Sequence, residues 1–249
     1  MKNIFKNIKI LITSGGTIVK IDDVRHIGNF STGYLMSQIA TEALINGCKV
    51  FYLCAKNAKK PFQDYFIFNP LKSARGQFAQ IKKMQKIYKK IKHNLNVYEF
   101  EDFGDYGRQL KKILSEKSID IIFLGAAVSD YGVKKQSGKI SSLKNKFKLT
   151  LAKNPKIIKR VKAWSKSKIF QVGFKLLSNV TEERLIKTAI SSGRENKSDL
   201  TIANDLQKNR GENREVIMIT SGGKTKKMTT PQIEKKILKF VVYEYGRGH

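Results

Sequence analysis

Apolar and polar positions along this chain alternate between two periods, and the alternation predicts strands and helices in turn. Residues 9–13 (KILIT) form a short apolar run that ends in Ser14-Gly15-Gly16-Thr17, which reads as a strand entering a turn. Leu35, Ile39, Ala43 and Leu44 recur at helical spacing and predict a helix over 33–46. Ser31 or Thr32 can cap its start, and Gly47 fits its end. Residues 49–53 read as a second strand, and 55–76 has no clear period, as expected of an irregular excursion. Over 81–91 the apolar residues fall at 81, 84, 87, 88 and 91, which predicts an amphipathic helix with a solvated lysine face. A strand over 96–100 and a helix over 106–117 follow. The apolar run 119–124 (IDIIFL) suits the buried centre of a parallel sheet.

The second half begins with a polar, lysine-rich stretch over 132–146 that contains Gly132 and Gly138. It has little to bury and is expected to be a loop, mobile when nothing is bound to it. A strand over 147–151 and a helix over 155–164, with proline in its first turn, come next. Then follow a strand over 169–174, a helix near 181–192 and a strand over 199–203. Residues 215–220 and 226–229 flank Ser221-Gly222-Gly223-Lys224, a hairpin signature, and a helix over 231–245 closes the chain. Strands alternating with helices predict one α/β domain over 1–249, a doubly wound, mostly parallel sheet with a late β-hairpin.

The chain has 249 residues, 41% of them hydrophobic, enough for a sizeable core. No run reaches the roughly 18 apolar residues that a membrane span requires. The N-terminus has no apolar stretch leading to a small-residue cleavage site, so no signal peptide is expected. Cys48 and Cys54 match no metal or disulfide spacing and read as two buried, reduced thiols. Together these features predict a cytoplasmic protein with no membrane partner. The 49 basic and 20 acidic residues give a net charge of +29, which suits either nucleic acid or anionic substrates. Lysine is spread along the whole chain, and no zinc-finger, RNA-recognition or basic-zipper pattern accompanies it. The excess therefore reads first as compositional bias, and nucleic acid is not the expected partner.

In a doubly wound sheet, ligands gather at the carboxyl ends of the strands, and the informative residues of this chain follow predicted strands. Gly15 and Gly16 after the first strand let backbone amides approach an anion, although they do not form the G-x-G-x-x-G dinucleotide fingerprint. The polar insertion over 22–33 ends in Asn29-x-Ser31-Thr32-Gly33, a hydroxyl-rich helix start suited to phosphate or carboxylate. Gly125-Ala126-Ala127 leaves room for a ligand against the backbone, and Asp130 can accept hydrogen bonds from a ribose. Asn154-Pro155, Gly173-Phe174 and Ala203-Asn204-Asp205 also stand at strand or helix ends. A nicotinamide-dependent oxidoreductase would need that fingerprint and an acidic end to its second strand, where this chain has Leu53-Cys54-Ala55-Lys56.

Taken in order, these blocks resemble the phosphopantothenoylcysteine synthetase (phosphopantothenate–cysteine ligase) family. They are T-S-G-G-T…I-D-x-V-R-x-I-x-N-x-S-T-G over 13–33, A-A-V-S-D-Y over 126–131 and G-K-I over 138–140. K-N-P over 153–155, V-G-F-K-L-L over 172–177 and A-N-D-L over 203–206 complete the set. The chain is similar to a free-standing form of the family, without the flavin-dependent half that often precedes it. The resemblance implies a Rossmann-like sheet, a homodimer, and a ligase that uses CTP or ATP with Mg²⁺ to turn 4′-phosphopantothenate into an acyl-nucleotidylate, which L-cysteine then attacks. It implies that Asn29 and Lys139 are catalytic, and that Arg25, Asn29, Ser31, Thr32, Gly33 and Ala127 bind phosphopantothenate. Gly15, Gly16, Gly125, Ala126, Asp130 and Lys139 are implied to hold nucleotide, as are Asn154, Pro155, Lys156, Ile157 and Phe174. The metal-binding residues are unassigned. Lys139 lies in an implied flap near 132–146, which reads Lys139-Ile140-Ser141-Ser142 where the family often has K-I-K-K; Lys144 and Lys146 are the nearest substitutes. Two family lysines before the A-N-D strand have Lys187 and Lys197 as their nearest counterparts.

Overall fold

Apolar runs bounded by polar turns form the centre of a computed structural model that describes residues 4–71, 73–142, 146–209 and 213–248. The chain begins with β1 (Lys9–Ser14), whose last five residues are buried. The polar insertion after it is a small antiparallel hairpin, β2 (Ile18–Lys20) and β3 (His26–Gly28), which the period of the sequence does not reveal because each strand has only three residues. Helix α1 (Tyr34–Ile45) buries Met36, Ile39, Ala40, Ala43 and Leu44. It is entered through Gly33, while the Thr32 hydroxyl accepts from the first helical amide, the Tyr34 N–H, at 3.4 Å. At its other end the Gly47 N–H donates to Leu44 O and the Cys48 N–H to Ala43 O, the expected glycine closure.

Strand β4 (Lys49–Ala55) and helix α2 (Ala74–Ile91) follow. The helix starts well before the periodic lysine-rich segment, because its first turns are exposed and carry no apolar stripe to read. It docks chiefly through Met84, with Ile87, Tyr88 and Ile91 half-buried. Next come β5 (Leu95–Phe100), α3 (Phe103–Glu116), capped by the Asp102 side chain, and β6 (Ile121–Leu124), buried throughout.

Two-residue strands β7 (Tyr131–Gly132) and β8 (Ala152–Lys153) pair with each other, and 147–151 is not a strand. The alternation Phe147, Leu149, Leu151 imitates one, but β6 already pairs with strands on both sides and leaves that segment no edge. Pro155 does not open a helix. A 3₁₀ turn over 157–160 leads into the single turn of α4 (Val161–Trp164). The chain then runs through β9 (Phe170–Leu177), α5 (Glu182–Glu195) with its Thr181 cap, and β10 (Leu200–Asp205). The hairpin β11 (Glu215–Thr220) and β12 (Thr225–Thr229) and the helix α6 (Ile233–Arg247) complete it.

The main sheet has the order β12-β11-β10-β9-β6-β1-β4-β5, parallel from β10 to β5 and antiparallel at the late hairpin. Right-handed crossovers place α1 and α2 on one face, where α1 also packs on α6, and α3, α4 and α5 on the other. The core runs through both layers, with Ile10, Leu11, Ile12, Phe123 and Val172 fully buried at the sheet centre. Cys48 and Cys54 are buried and unpaired with each other, as the sequence leads one to expect.

Candidate active site

From β1 the chain moves outward to β4 and β5, then returns to lay β6 on the other side of β1. The loops after β1 and β6 therefore leave for opposite faces, and a crevice opens between them. Backbone bonds stitch its floor: the Ala127 N–H donates to Gly15 O at 2.7 Å, and the Thr17 N–H to Ala127 O at 3.2 Å. The buried Thr13 and Thr17 hydroxyls accept from the amides of Ala126 and Ser129 at 3.2 and 2.9 Å. Asn29 follows β3 and lies across this junction, its Nδ2 donating to Ala127 O at 3.2 Å. Its backbone carbonyl lies 3.2 Å from where a Gly16 side chain would begin. Asn29, Gly15, Gly16 and Ala127 thus meet at one point. Gly125 does something different: a Cβ there would lie 2.2 Å from the Met36 sulfur, so its small size serves packing against α1.

Helix α1 points its N-terminus toward the same junction. Gly33 has φ 72°, a left-handed conformation, and any side chain on it would start 2.4 Å from Ser14 Oγ. Ser14 Oγ donates to Gly33 O at 3.3 Å and lies 2.8 Å from the Tyr52 hydroxyl, which itself donates to Lys59 O at 2.9 Å. Burial holds the Tyr52 phenol far above its ordinary value, so it stays neutral. No acidic residue lies in the first turn of α1, and apart from a long 3.4 Å bond from the Tyr34 N–H to Thr32 Oγ1 its N-terminus is arranged to suit an anion. Lys59 and Arg214 place their cations over the Tyr34 ring at 5.1 and 4.3 Å beside that helix start, where Lys59 is also paired with Asp64. The sequence reading missed both, since they lie in loops far from any motif.

Beside the junction, a cleft of about 200 Å³ opens between β6 and β9. Ala126, Asp130, Pro155, Lys156, Ile157 and Phe174 line it together, although they come from three separate motifs. Phe103 and Tyr106 of α3 form part of its apolar wall, while Lys175, Ser192 and Asn196 add polar groups that the sequence reading did not single out. Asp130 is paired with Lys156 at 2.6 Å, so a ribose hydroxyl there would compete with an existing ion pair. Asn154 stands behind the wall rather than in it. Its backbone N–H donates to Asp130 O at 2.8 Å and its Nδ2 to Ser129 O at 3.0 Å, tying the two segments together. Lys187 and Lys197 do not line the cleft; Lys156 and Lys175 are the lysines that do. Lys144 lies outside the described residues, and Lys146 is exposed.

Arg25 and Lys139 form a third group, at the tip of the β2–β3 hairpin. Arg25 donates from Nη2 to Ile140 O at 2.5 Å and pairs with Asp22 at 2.7 Å, while Lys139 is exposed. At roughly 3.3 Å per residue, the extended chain through β3 separates Arg25 from Asn29 by about 13 Å. The structure thus gathers the expected substrate residues at the base of the hairpin and holds Arg25 and Lys139 at its tip. The segment 135–140, expected as part of a free loop, is hydrogen-bonded to the hairpin, with the Gln136 N–H on Ile21 O at 2.9 Å. Among the described residues, no three of His, Cys, Asp or Glu gather in a set able to hold a metal ion. None of the described helices is long and apolar enough to cross a membrane.

A switch-point crevice in a six-stranded parallel core, with a hairpin inserted between its first strand and helix, defines a Rossmann-like, doubly wound α/β protein. Over residues 5–89 and 88–243 the sequence matches the DNA/pantothenate metabolism flavoprotein C-terminal domain, and the chain belongs to that family. It is 29% identical over 211 residues to the coenzyme A biosynthesis bifunctional protein CoaBC of Thermococcus kodakarensis, covering 85% of this chain and 44% of that protein. With the phosphopantothenate–cysteine ligase of Saccharomyces cerevisiae it shares 32% identity over 146 residues, 51% of this chain and 40% of the yeast protein. The chain thus spans less than half the length of these relatives. A solved structure of a Cab2 variant in complex with phosphopantothenate-cysteine superposes with a TM-score of 0.83 at 26% identity, covering 97% of this chain and 87% of that one.

Proposed function

We propose that this chain is a phosphopantothenate–cysteine ligase of coenzyme A biosynthesis that works through an acyl-nucleotidylate, with CTP as the activating nucleotide. The observation that carries the reading is the meeting of Asn29 with Ala127 at the β1–β6 junction, beside the start of α1 and the cleft lined by Ala126, Asp130 and Phe174. In the first step a phosphopantothenate carboxylate oxygen bonds to the α-phosphorus of the triphosphate, and the α–β bridging bond breaks to release pyrophosphate. In the second, the cysteine amine bonds to the acyl carbon, the acyl–oxygen bond breaks, and CMP leaves as the amine gives up a proton to water.

Both reactants of the first step are anions, so the barrier falls when fixed donors and cations hold them together. Asn29 Nδ2 and the first amides of α1 are the preorganised donors; Arg25 and Lys139 are the cations that approach from the hairpin. Ser31, Thr32, Gly33 and Ala127 shape the phosphopantothenate side, and Gly15, Gly16, Pro155, Lys156, Ile157 and Phe174 the nucleotide side. Asn154 and Gly125 support that pocket from behind. Mg²⁺ would enter as the counter-ion of the triphosphate, whose oxygens can supply its ligands. An ATP-using version of the same reaction is the second reading, favoured by Phe174-Lys175-Leu176 at the cleft, where fused bacterial relatives often carry a different sequence.

A second copy of the chain is the proposed partner, for Val24, Ile27 and Phe30 on the hairpin are 61%, 42% and 110% exposed and form an apolar surface at the site. The deciding experiment supplies phosphopantothenate, L-cysteine, Mg²⁺ and either CTP or ATP. Pyrophosphate release that requires phosphopantothenate and is faster with CTP is the expected result. Orthophosphate release would mean an acyl-phosphate and overturn the nucleotidylate; faster turnover with ATP would overturn the choice of base.

A further inference from the structure

Asp22 has no role in the reaction as set out above, yet its side chain is fully buried in an otherwise exposed hairpin tip. An ionised carboxylate withdrawn from water is costly unless its lone pairs find donors, and this one has four. Its Oδ1 accepts from the amides of Val24 and Arg25 at 2.9 and 2.7 Å. Its Oδ2 accepts from Arg25 Nε at 2.9 Å and from the Ile140 amide at 3.1 Å, and is ion-paired with Arg25 Nη2 at 2.7 Å. Burial alone would push this carboxyl up, but the Val24 and Ile140 amides and the Arg25 guanidinium outweigh it and hold the group far below the usual carboxylate range.

The consequence lies on the far loop. The Ile140 amide is held by Asp22 and its carbonyl by Arg25, so both polar groups of that residue are fixed by the hairpin. On the other side of Lys139, the Gly138 amide donates to Asp23 Oδ2 at 2.8 Å, and Gly138 O accepts from the Asp23 amide at 3.3 Å. Lys135 pairs with Asp23 at 2.5 Å. Lys139 is thus the exposed residue between two clamped neighbours, and the buried member of the clamp is a residue 117 positions earlier.

We propose that Asp22 is the positioning residue for Lys139 and Arg25: its buried carboxylate orients the guanidinium and sets the register of the 138–140 backbone on the hairpin, so that the two cations are presented as one pair. The roles of Arg25 and Lys139 in the ligase reaction rest on the proposed function; the clasp itself does not.

The test is Asp22→Asn in the full chain, with Asp22→Ala as a harsher companion. Asparagine keeps one acceptor but turns an NH₂ toward the Arg25 and Ile140 donors. Amide hydrogen exchange at Gly138 and Ile140 is expected to quicken at least tenfold, with the Ile12 amide in β1 unchanged. Turnover is expected to fall at least tenfold, with the KM for cysteine unaltered. In an Arg25→Gln/Lys139→Gln background, Asp22→Asn is expected to cost less than threefold more, since a residue acting through these two cations loses its effect once both are gone. A merely structural residue would show additive losses instead. Unchanged exchange at Ile140, full additivity, or quickened exchange with normal turnover would each overturn the proposal. If the wild-type chain shows no ligase turnover while Asp22→Asn still frees Ile140, the proposed function fails and the clasp stands.

Discussion

At the scale of single residues, Asn29 concentrates the most chemistry. Its amide donates to Ala127 O at the crevice floor, and its own carbonyl crowds Gly16. Asn29→Asp removes that donor and sets a negative charge where, in the proposed reaction, two anionic substrates would meet. A hydrogen bond to a charged partner contributes about 1.5–3 kcal/mol, so turnover should fall roughly ten- to a hundredfold. Steady-state kcat checks this, with a urea midpoint to show that the fold survives; near-normal turnover would make the residue purely structural. Asn29 was legible in the sequence because it sits in a dense run of polar and small residues. Asp22 stands in the same motif, but nothing local shows that its carboxylate is buried against a loop more than a hundred positions away.

Among the elements, the entry to α1 and the 138–140 loop are the most constrained. Gly33→Ala forces a side chain into left-handed backbone and against Ser14 Oγ, and should destabilise the fold by about 1–3 kcal/mol. Urea unfolding measures this, with Gly222→Ala as the control, because a Cβ there meets nothing closer than 3.9 Å. Lys139→Gln leaves the clasp's backbone bonds in place and removes only the charge. It should slow the pyrophosphate burst at least tenfold, while phosphopantothenate binding, read by calorimetry, changes less than threefold. Strands β1, β4, β6 and β11 were legible as apolar runs, because burial on both faces leaves no polar positions to obscure them. The false strand over 147–151 and the missed β2–β3 hairpin fail for one reason: short strands exist only where a partner edge is offered, and period cannot report that.

For the whole molecule, two outcomes follow from what is exposed and what is buried. Phe30→Ser should weaken self-association, and sedimentation at micromolar concentration should show more monomer than the wild-type chain. An unchanged mass distribution would remove the hairpin from the dimer surface. The thiols offer a test by pH. Burial pushes Cys48 from an ordinary 9.0 up to about 12 and Cys54 up to about 11. Their contribution is complete below pH 9 and is lost as pH rises toward these values, because the unfolded thiols ionise first. Urea midpoints should therefore decline from about pH 9 upward, and more steeply than in a Cys48→Ala/Cys54→Ala variant. At pH 8 neither thiol should react with a disulfide reagent until the protein is unfolded. The charge of +29 should produce only weak, strongly salt-dependent duplex binding, as expected of lysines spread over a whole surface.

The alternation of strands and helices, the buried thiols and the late hairpin were determined by the sequence alone, because local period and turn chemistry act over a few residues. The motif residues were likewise visible as blocks at strand ends. Only the tertiary structure decided which blocks meet. It brought Ala126, Asp130, Pro155 and Phe174 around one cleft and set Asn29 on Ala127, while Arg25 and Lys139 remained on the hairpin tip. Such contacts depend on the order of strands in the sheet and on donors arriving from distant loops. A chain read one window at a time carries no signal for either.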